Sequence, residues 1–197
     1  MSDCSPEAAI SLESLPIEEA PPQMVAVSLT REEAAASARA MRVFAMVALL
    51  TVVADQFSKA WIRSWVPLNG LSHEVVPGWL DFSHILNRGA AWGMLSGQRW
   101  FLIGVTVIVM VIVSQMAREF APHSALARMG LGLILGGAVG NLIDRIAAGA
   151  VTDFIDMGSP IAFIRTFPIF NLADSALTVG VMLLVLDIVL HRRLKVE

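Results

Sequence analysis

Three short runs put carboxylates where a membrane protein should avoid them. They are Gly140-Asn141-Leu142-Ile143-Asp144-Arg145, Val151-Thr152-Asp153-Phe154-Ile155-Asp156 and Phe170-Asn171-Leu172-Ala173-Asp174-Ser175. An ionisable side chain at the centre of a bilayer helix costs about 2.5–3.5 kcal/mol on insertion scales, so its retention marks a site by default. Two carboxylates that share a site divide their work, one ionised to accept a proton and one protonated to donate or polarise. Intramembrane Asp and Asn clusters also mark ion paths, so a small proton-coupled transporter is the competing class at this point.

The elements that must position these groups follow from the pattern. Asp144 and Arg145 close one long apolar segment, Asp174 opens the next, and Asp153 lies in the connection between them. Both helix ends and the loop should therefore converge on one small region at a membrane face. Asn141, Asp144 and Arg145 stand at i, i+3 and i+4 and share a helix side, and Asn171, Asp174 and Ser175 repeat that spacing after Pro168. Gly132, Gly136 and Gly140 step towards Asp144 at four-residue intervals, the small-xxx-small pattern that lets a neighbouring backbone approach closely in lipid.

Of 197 residues, 56% are hydrophobic and only 16% charged, whereas an ordinary soluble domain carries about 25% charge. The chain is therefore read as an integral membrane protein. A net charge of −3 with scattered Lys and Arg gives no basic stripe for nucleic acid, which is excluded as a partner. One cysteine, Cys4, and four dispersed histidines form no zinc-ligand spacing, so neither a metal nor a cofactor is expected.

Residues 1–38, rich in Glu, Ser, Pro and Ala, lack apolar periodicity and are expected to be a flexible cytoplasmic tail. With Arg31 the first basic residue, this stretch does not read as a secretory signal. Four apolar segments follow, about 41–63, 100–117, 126–147 and 171–190, each near the roughly 20 residues that cross a hydrocarbon core. The first carries Asp55 and Lys59 as an i,i+4 pair in the favourable order, expected to support a site or tie the helix end. The second has Thr106 as its only polar side chain between Phe101 and Val113 and reads as scaffold. Asp187, at the far end of the fourth, reads as a solvated helix terminus.

Eight basic residues flank one side (Arg31, Arg39, Arg42, Arg118, Arg128, Arg192, Arg193, Lys195) and four the other (Arg63, Arg88, Arg99, Arg165). Both termini should then be cytoplasmic and the carboxylates near the outer face. The outer connections, about 64–99 and 148–170, hold β-like stretches at His73–Val76, Leu80–Ile85, Val151–Ile155 and Ile161–Ile164. A small sheet on the membrane face is expected, since irregular backbone cannot lie exposed in lipid. Trp61, Trp65, Trp79, Trp92 and Trp100 all fall on this side, as interfacial aromatics do. Asn87-Arg88-Gly89-Ala90-Ala91-Trp92, with an amide, a flexible glycine and an amphipathic ring, could be a lid over the site or a plain membrane-contact loop. Ser72, His73, Ser83 and His84 are read as loop polar groups rather than a Ser/His/Asp arrangement.

DQFSK, NRGAAW, GNLIDR, VTDF and FNLADS, in that order from about residue 41 to 191, resemble the lipoprotein signal peptidases, or signal peptidase II, a family of bacterial membrane aspartyl proteases. The resemblance implies a mainly α membrane protein, four transmembrane helices with a small β-sheet and lid loop on the outer face, spanning 39–197 as the peptidase domain. It implies that Asp153 and Asp174 are the catalytic pair. Asn87, Gly89, Asn141, Asp144, Arg145, Asn171, Asp55 and Lys59 are then positions that shape the pocket or support the pair. The implied substrate is a diacylglyceryl-modified prolipoprotein cut N-terminal to its lipidated cysteine, with membrane lipid as surroundings, in the bacterial inner membrane, by a monomer whose site lies near the periplasmic face. The tail before residue 39 is longer than the compact family pattern. Gathering of the polar groups at one face, with a featureless second segment, favours an enzyme over a transporter.

Overall fold

The computed structural model describes residues 30–90, 94–158, 161, 164 and 166–193. Four helices are long and apolar enough to cross a membrane: α1 (Arg31–Trp65), α2 (Arg99–Phe120), α3 (Ala125–Ala147) and α4 (Leu172–Arg193). Three strands, β1 (His73–Val76), β2 (Leu80–Asn87) and β3 (Val151–Asp156), form an antiparallel sheet in that order. The membrane architecture expected from the sequence is therefore present, with a small sheet at one end.

Local chemistry sets the boundaries. α1 begins at Arg31, ten residues before the expected span, because Thr30 and Glu33 form a reciprocal capping box ahead of an alanine-rich run. Residues 31–38 are thus helical, where a flexible stretch is expected from composition, while 1–29 fall outside the described residues. The helix stops at Val66, extended (φ −93°, ψ 117°) in front of Pro67, as a residue before proline prefers. Ser124 caps α3 by accepting from the Ala127 N–H at 3.2 Å. At its other end Gly149 takes φ +75°, the left-handed conformation that closes a helix.

Pro77-Gly78 turns β1 into β2, with Gly78 at φ +71° and the Trp79 N–H donating to the Val76 carbonyl at 2.9 Å. The sheet packs on α1 through Ile62, Val66 and Phe154, with Phe82 and Ile155 against them. The expected fourth stretch, Ile161–Ile164, is not a strand where it is described. Ile164 is helical and its N–H donates to the Ile161 carbonyl at 3.0 Å. Instead Phe170 bridges Ile155 at the sheet's edge, because the chain must return to the start of α4 directly after Pro168. Ser83 and His84 also differ from the loop reading. Both are buried in β2, with Ser83 Oγ 2.8 Å from Ser72 Oγ and His84 Nδ1 3.0 Å from the Val66 carbonyl.

α3 is the central helix. Of its apolar window 56% is buried, against 22% in α1 and 17% in both α2 and α4. Its glycines explain how. A Cβ on Gly136 would lie 2.5 Å from Thr51 Cβ and 2.6 Å from the Ala48 carbonyl of α1; one on Gly137 would lie 2.5 Å from the Ala173 carbonyl of α4. Both neighbouring backbones thus approach within a distance that only glycine permits, as the small-residue spacing predicts. At the end far from the sheet, Phe44, Val113, Ala117, Leu131 and Ile134 form an apolar core. There Asp187 corrects the solvated-terminus reading: it accepts from Ser124 Oγ, joining α4 to the capped start of α3.

Candidate active site

The two carboxylates expected to act together border the same cavity. Asp153 sits in β3, opposite Ile85 of β2, and Asp174 in the first turn of α4, at the sheet end of the bundle. Asn171 links them. Its Nδ2 donates to Asp153 Oδ1 at 2.6 Å, and its Oδ1 accepts the Asp174 N–H at 3.0 Å. In return Asp174 Oδ2 accepts the Asn171 N–H at 3.2 Å, so the pair forms a capping box that starts α4. Asp174 Oδ1 accepts from Asn141 Nδ2 of α3 at 2.8 Å, and Asp153 Oδ2 from Asn87 Nδ2 at the end of β2 at 3.0 Å. Each carboxylate is thus oriented by amide donors from two directions.

Behind this pair lies a second one. Asp55 and Lys59, fully buried, are joined at 2.9 Å, and Lys59 Nζ is 3.2 Å from Asp144 Oδ2 and 2.9 Å from Asn141 Oδ1. Each rear carboxylate grips the main chain one residue before a front one. Asp55 Oδ1 accepts the Ala173 N–H at 2.9 Å, and Asp144 Oδ2 accepts the Thr152 N–H at 3.0 Å. Asp55 and Asp144 thus hold the backbone beside Asp174 and Asp153, Lys59 ties both of them to Asn141, and none of the three borders the cavity. A buried ammonium between two carboxylates, with hydrogen bonds filling the remaining positions, is the arrangement that makes such burial tolerable.

Burial pushes the Asp153 carboxyl up to about 6; the nearby negative charge of Asp174 adds to this, against the hydrogen bonds from Asn87 and Asn171 and the charge of Lys59. Both front carboxylates border a cavity of about 740 Å³. Its polar end is made by Asn87, Gly89, Asn141 and Arg145, its apolar wall by Val105 and Val109 of α2 and Val179 and Met182 of α4. α2 and α4 each pack on α3 rather than on one another, leaving the cavity between them. Arg145 reaches from α3 to the loop after β2, donating to the Gly89 carbonyl at 3.2 Å, while the Gly89 N–H donates to Asn87 Oδ1 at 2.9 Å. The rest of that loop, Ala91 and Trp92, lies outside the described residues.

All ten residues expected at the site therefore fall in one connected network at one end of the bundle. Three others belong to it that the sequence reading passed over. Gln56 Nε2 donates to Asp55 and to the Gly140 carbonyl, both at 3.1 Å. Arg63 donates to Thr152 Oγ1 at 3.0 Å. Arg63 had a signal, since it continues the Asp55, Lys59 step of four; Gln56 and Thr152 had none beyond adjacency to a carboxylate. Among the described residues no group of His, Cys, Asp and Glu could hold a metal ion.

A helical membrane protein with paired carboxylates bordering an apolar cavity at one end of the bundle has the arrangement expected of a membrane-embedded enzyme. Residues 47–190 match the family model of signal peptidase (SPase) II. The chain is similar to a lipoprotein signal peptidase of Geobacillus kaustophilus, 45% identical over 140 residues, covering 70% of this chain and 87% of that protein. One from Latilactobacillus sakei is 39% identical over 153 residues, covering 78% and 97%. Among solved structures, a bacterial membrane enzyme determined by the in meso method is 36% identical, with a TM-score of 0.68 over 73% of this chain and 85% of that one. The chain belongs to the signal peptidase II family, and is a multi-pass membrane protease.

Proposed function

We propose that the protein is an aspartic endopeptidase that removes the signal peptide from diacylglyceryl-modified prolipoproteins, cutting N-terminal to the lipidated cysteine. The observation that carries this reading is the shared cavity, with Asp153 and Asp174 at its polar end and an apolar wall running along α2 and α4. A transmembrane signal segment and acyl chains suit that wall, and the space between α2 and α4 gives them a way in from the bilayer. The two carboxylates then hold one proton between them. The ionised one takes a proton from water as it attacks, and the protonated one polarises the scissile carbonyl and later protonates the leaving nitrogen. Asn87 and Arg145 suit the role of holding the extended peptide over the pair, with Gly89 allowing close approach. The relatives named above are lipoprotein signal peptidases, which supports the substrate class.

The experiment is cleavage of a lipidated precursor by purified protein in detergent. Asp153→Asn and Asp174→Asn should each abolish turnover while the protein still folds, and the double variant should be no slower than either single one, because residues acting as one unit are non-additive. Substantial turnover by either single variant removes that residue from the mechanism. The reading also places both termini in the cytoplasm, with the site near the periplasmic face and the protein acting as a monomer. A cytoplasm-only reporter at the C-terminus should be active; silence from a stably made fusion inverts the orientation.

A further inference from the structure

Thr152, directly before Asp153, is held at two atoms by groups that do not border the cavity. Its N–H donates to Asp144 Oδ2 at 3.0 Å, and its Oγ1 accepts from Arg63 NH1 at 3.0 Å. Thr152 is 1% exposed, so its hydroxyl has no water to fall back on. The same Arg63 nitrogen lies 3.7 Å from Asp144 Oδ1, so it touches both the side chain and the carboxylate that grips the main chain. Arg63 comes from the last turn of α1, which carries Asp55 and Lys59 two and one helical turns earlier. The start of β3 is thereby tied to α1 as well as to α3. Among the described residues the side chain of Asp153 itself is held by Asn87 and Asn171, each reaching from another element.

We infer that Arg63 and Thr152 form a positioning pair for the peptidase reaction: the guanidinium, acting through the Thr152 hydroxyl, fixes the β3 backbone so that the Asp153 carboxylate faces Asp174 across the cavity. The inference rests on the proposed chemistry at Asp153. A buried hydroxyl at this place in β3 serves packing no better than valine would, since Thr and Val have nearly the same shape; what it adds is an acceptor for Arg63. Neither residue borders the cavity, so neither touches substrate. Loss of the pair should slow the chemical step and leave substrate affinity alone, because small misplacements of a reacting group are expensive in rate.

The test measures kcat and KM per mole of folded enzyme on a lipidated precursor for Thr152→Val, Thr152→Ser, Arg63→Met and the Thr152→Val/Arg63→Met double variant. Thr152→Val should lower kcat about tenfold, within the range seen for remote misplacement, with KM changed less than about twofold. Thr152→Ser, which keeps the hydroxyl, should recover most of the rate. Arg63→Met should match Thr152→Val, and the double variant should be no slower than either, as for two ends of one contact. The pair is overturned if kcat of Thr152→Val stays within about twofold of wild type, if Thr152→Ser is as slow as Thr152→Val, or if the single effects multiply. Should Arg63→Met fail to fold, the two Thr152 variants, which leave every charge in place, decide alone. Failure of the aspartic reading would show separately, as turnover by Asp153→Asn.

Discussion

Replacing Lys59 with methionine removes the cation buried between Asp55 and Asp144 while keeping the apolar stem of the side chain. Its ammonium meets Asp55 at 2.9 Å, Asp144 at 3.2 Å and Asn141 Oδ1 at 2.9 Å, and Asp55 and Lys59 are both 0% exposed. Breaking a buried ionic cluster by deleting one partner costs about 3–5 kcal/mol, because the remaining charges stay desolvated. Arg63 offsets little of this, being partly exposed and 3.7 Å from Asp144 only. With about 2–4 °C per kcal/mol for a chain of this size, Lys59→Met should melt roughly 6–20 °C below wild type. The assay is thermal unfolding of the purified protein in one detergent. Adding Asp55→Asn to Lys59→Met should recover part of the loss, since it removes one of the stranded charges. A melting point for Lys59→Met within about 2 °C of wild type would refute the claim that this ammonium stabilises the network.

The glycine contacts separate packing from activity. Gly136→Ala and Gly137→Ala should each cost about 1–3 kcal/mol of stability by overpacking, but only Gly137→Ala, whose Cβ would press on the Ala173 carbonyl, should also lower kcat by displacing the first turn of α4. Asp153 should leave a mark on stability as well. Its carboxyl is raised from 3.8 to about 6, so the folded state holds a proton more tightly than the unfolded one. That contribution is full below about pH 4 and is lost as pH rises through about 6. Against Asp153→Asn, which does not titrate there, wild type should therefore lose roughly 3 kcal/mol over this window at about 1.4 kcal/mol per pH unit, read from melting points at pH 4 to 8. A protein truncated to begin at Thr30 should keep full activity, whereas one beginning at Arg39 loses the Thr30–Glu33 cap and with it about 1 kcal/mol. Inactivity of a well-folded Thr30 start would give residues 1–29 a role.

Much of this arrangement can be read from residue order because apolar length and carboxylate spacing are local properties. The four spans, the strands around His73–Val76 and Leu80–Asn87, and the convergence of Asp153 with Asp174 follow from them. Hydrogen bonds to main-chain N–H groups have no such signature. Nothing in Ala173 announces that its amide meets Asp55, 118 positions away. Spacing alone leaves Asp55 and Lys59 open between supporting a site and tying a helix end for the same reason: their third partner, Asp144, comes from another helix. α1 runs ten residues ahead of the apolar span because hydropathy locates membrane spans, and a helix extended into a charged capping box has no hydropathy signal. Ile161–Ile164 reads as β by composition, but the sheet edge is taken by Phe170 instead.

The central place of α3 bears on how the chain is made. Standing alone in lipid, this helix would present Asn141, Asp144 and Arg145 near one end and a row of glycines that gives little apolar surface. Each unsatisfied charge works against insertion, by at most the roughly 2.5–3.5 kcal/mol that one costs at the bilayer centre. α1 waits in the same condition, with Asp55 and Lys59 holding only each other until Asp144 arrives. Then Ala173 brings α4 onto Asp55. Biogenesis of this protein is therefore a problem of order: α1 must stay near the insertion machinery while α2 is made, since α3 finds its partners on the first helix and is completed only by the last. Lengthening the loop between α2 and α3 should thus burden yield more than it burdens the finished enzyme.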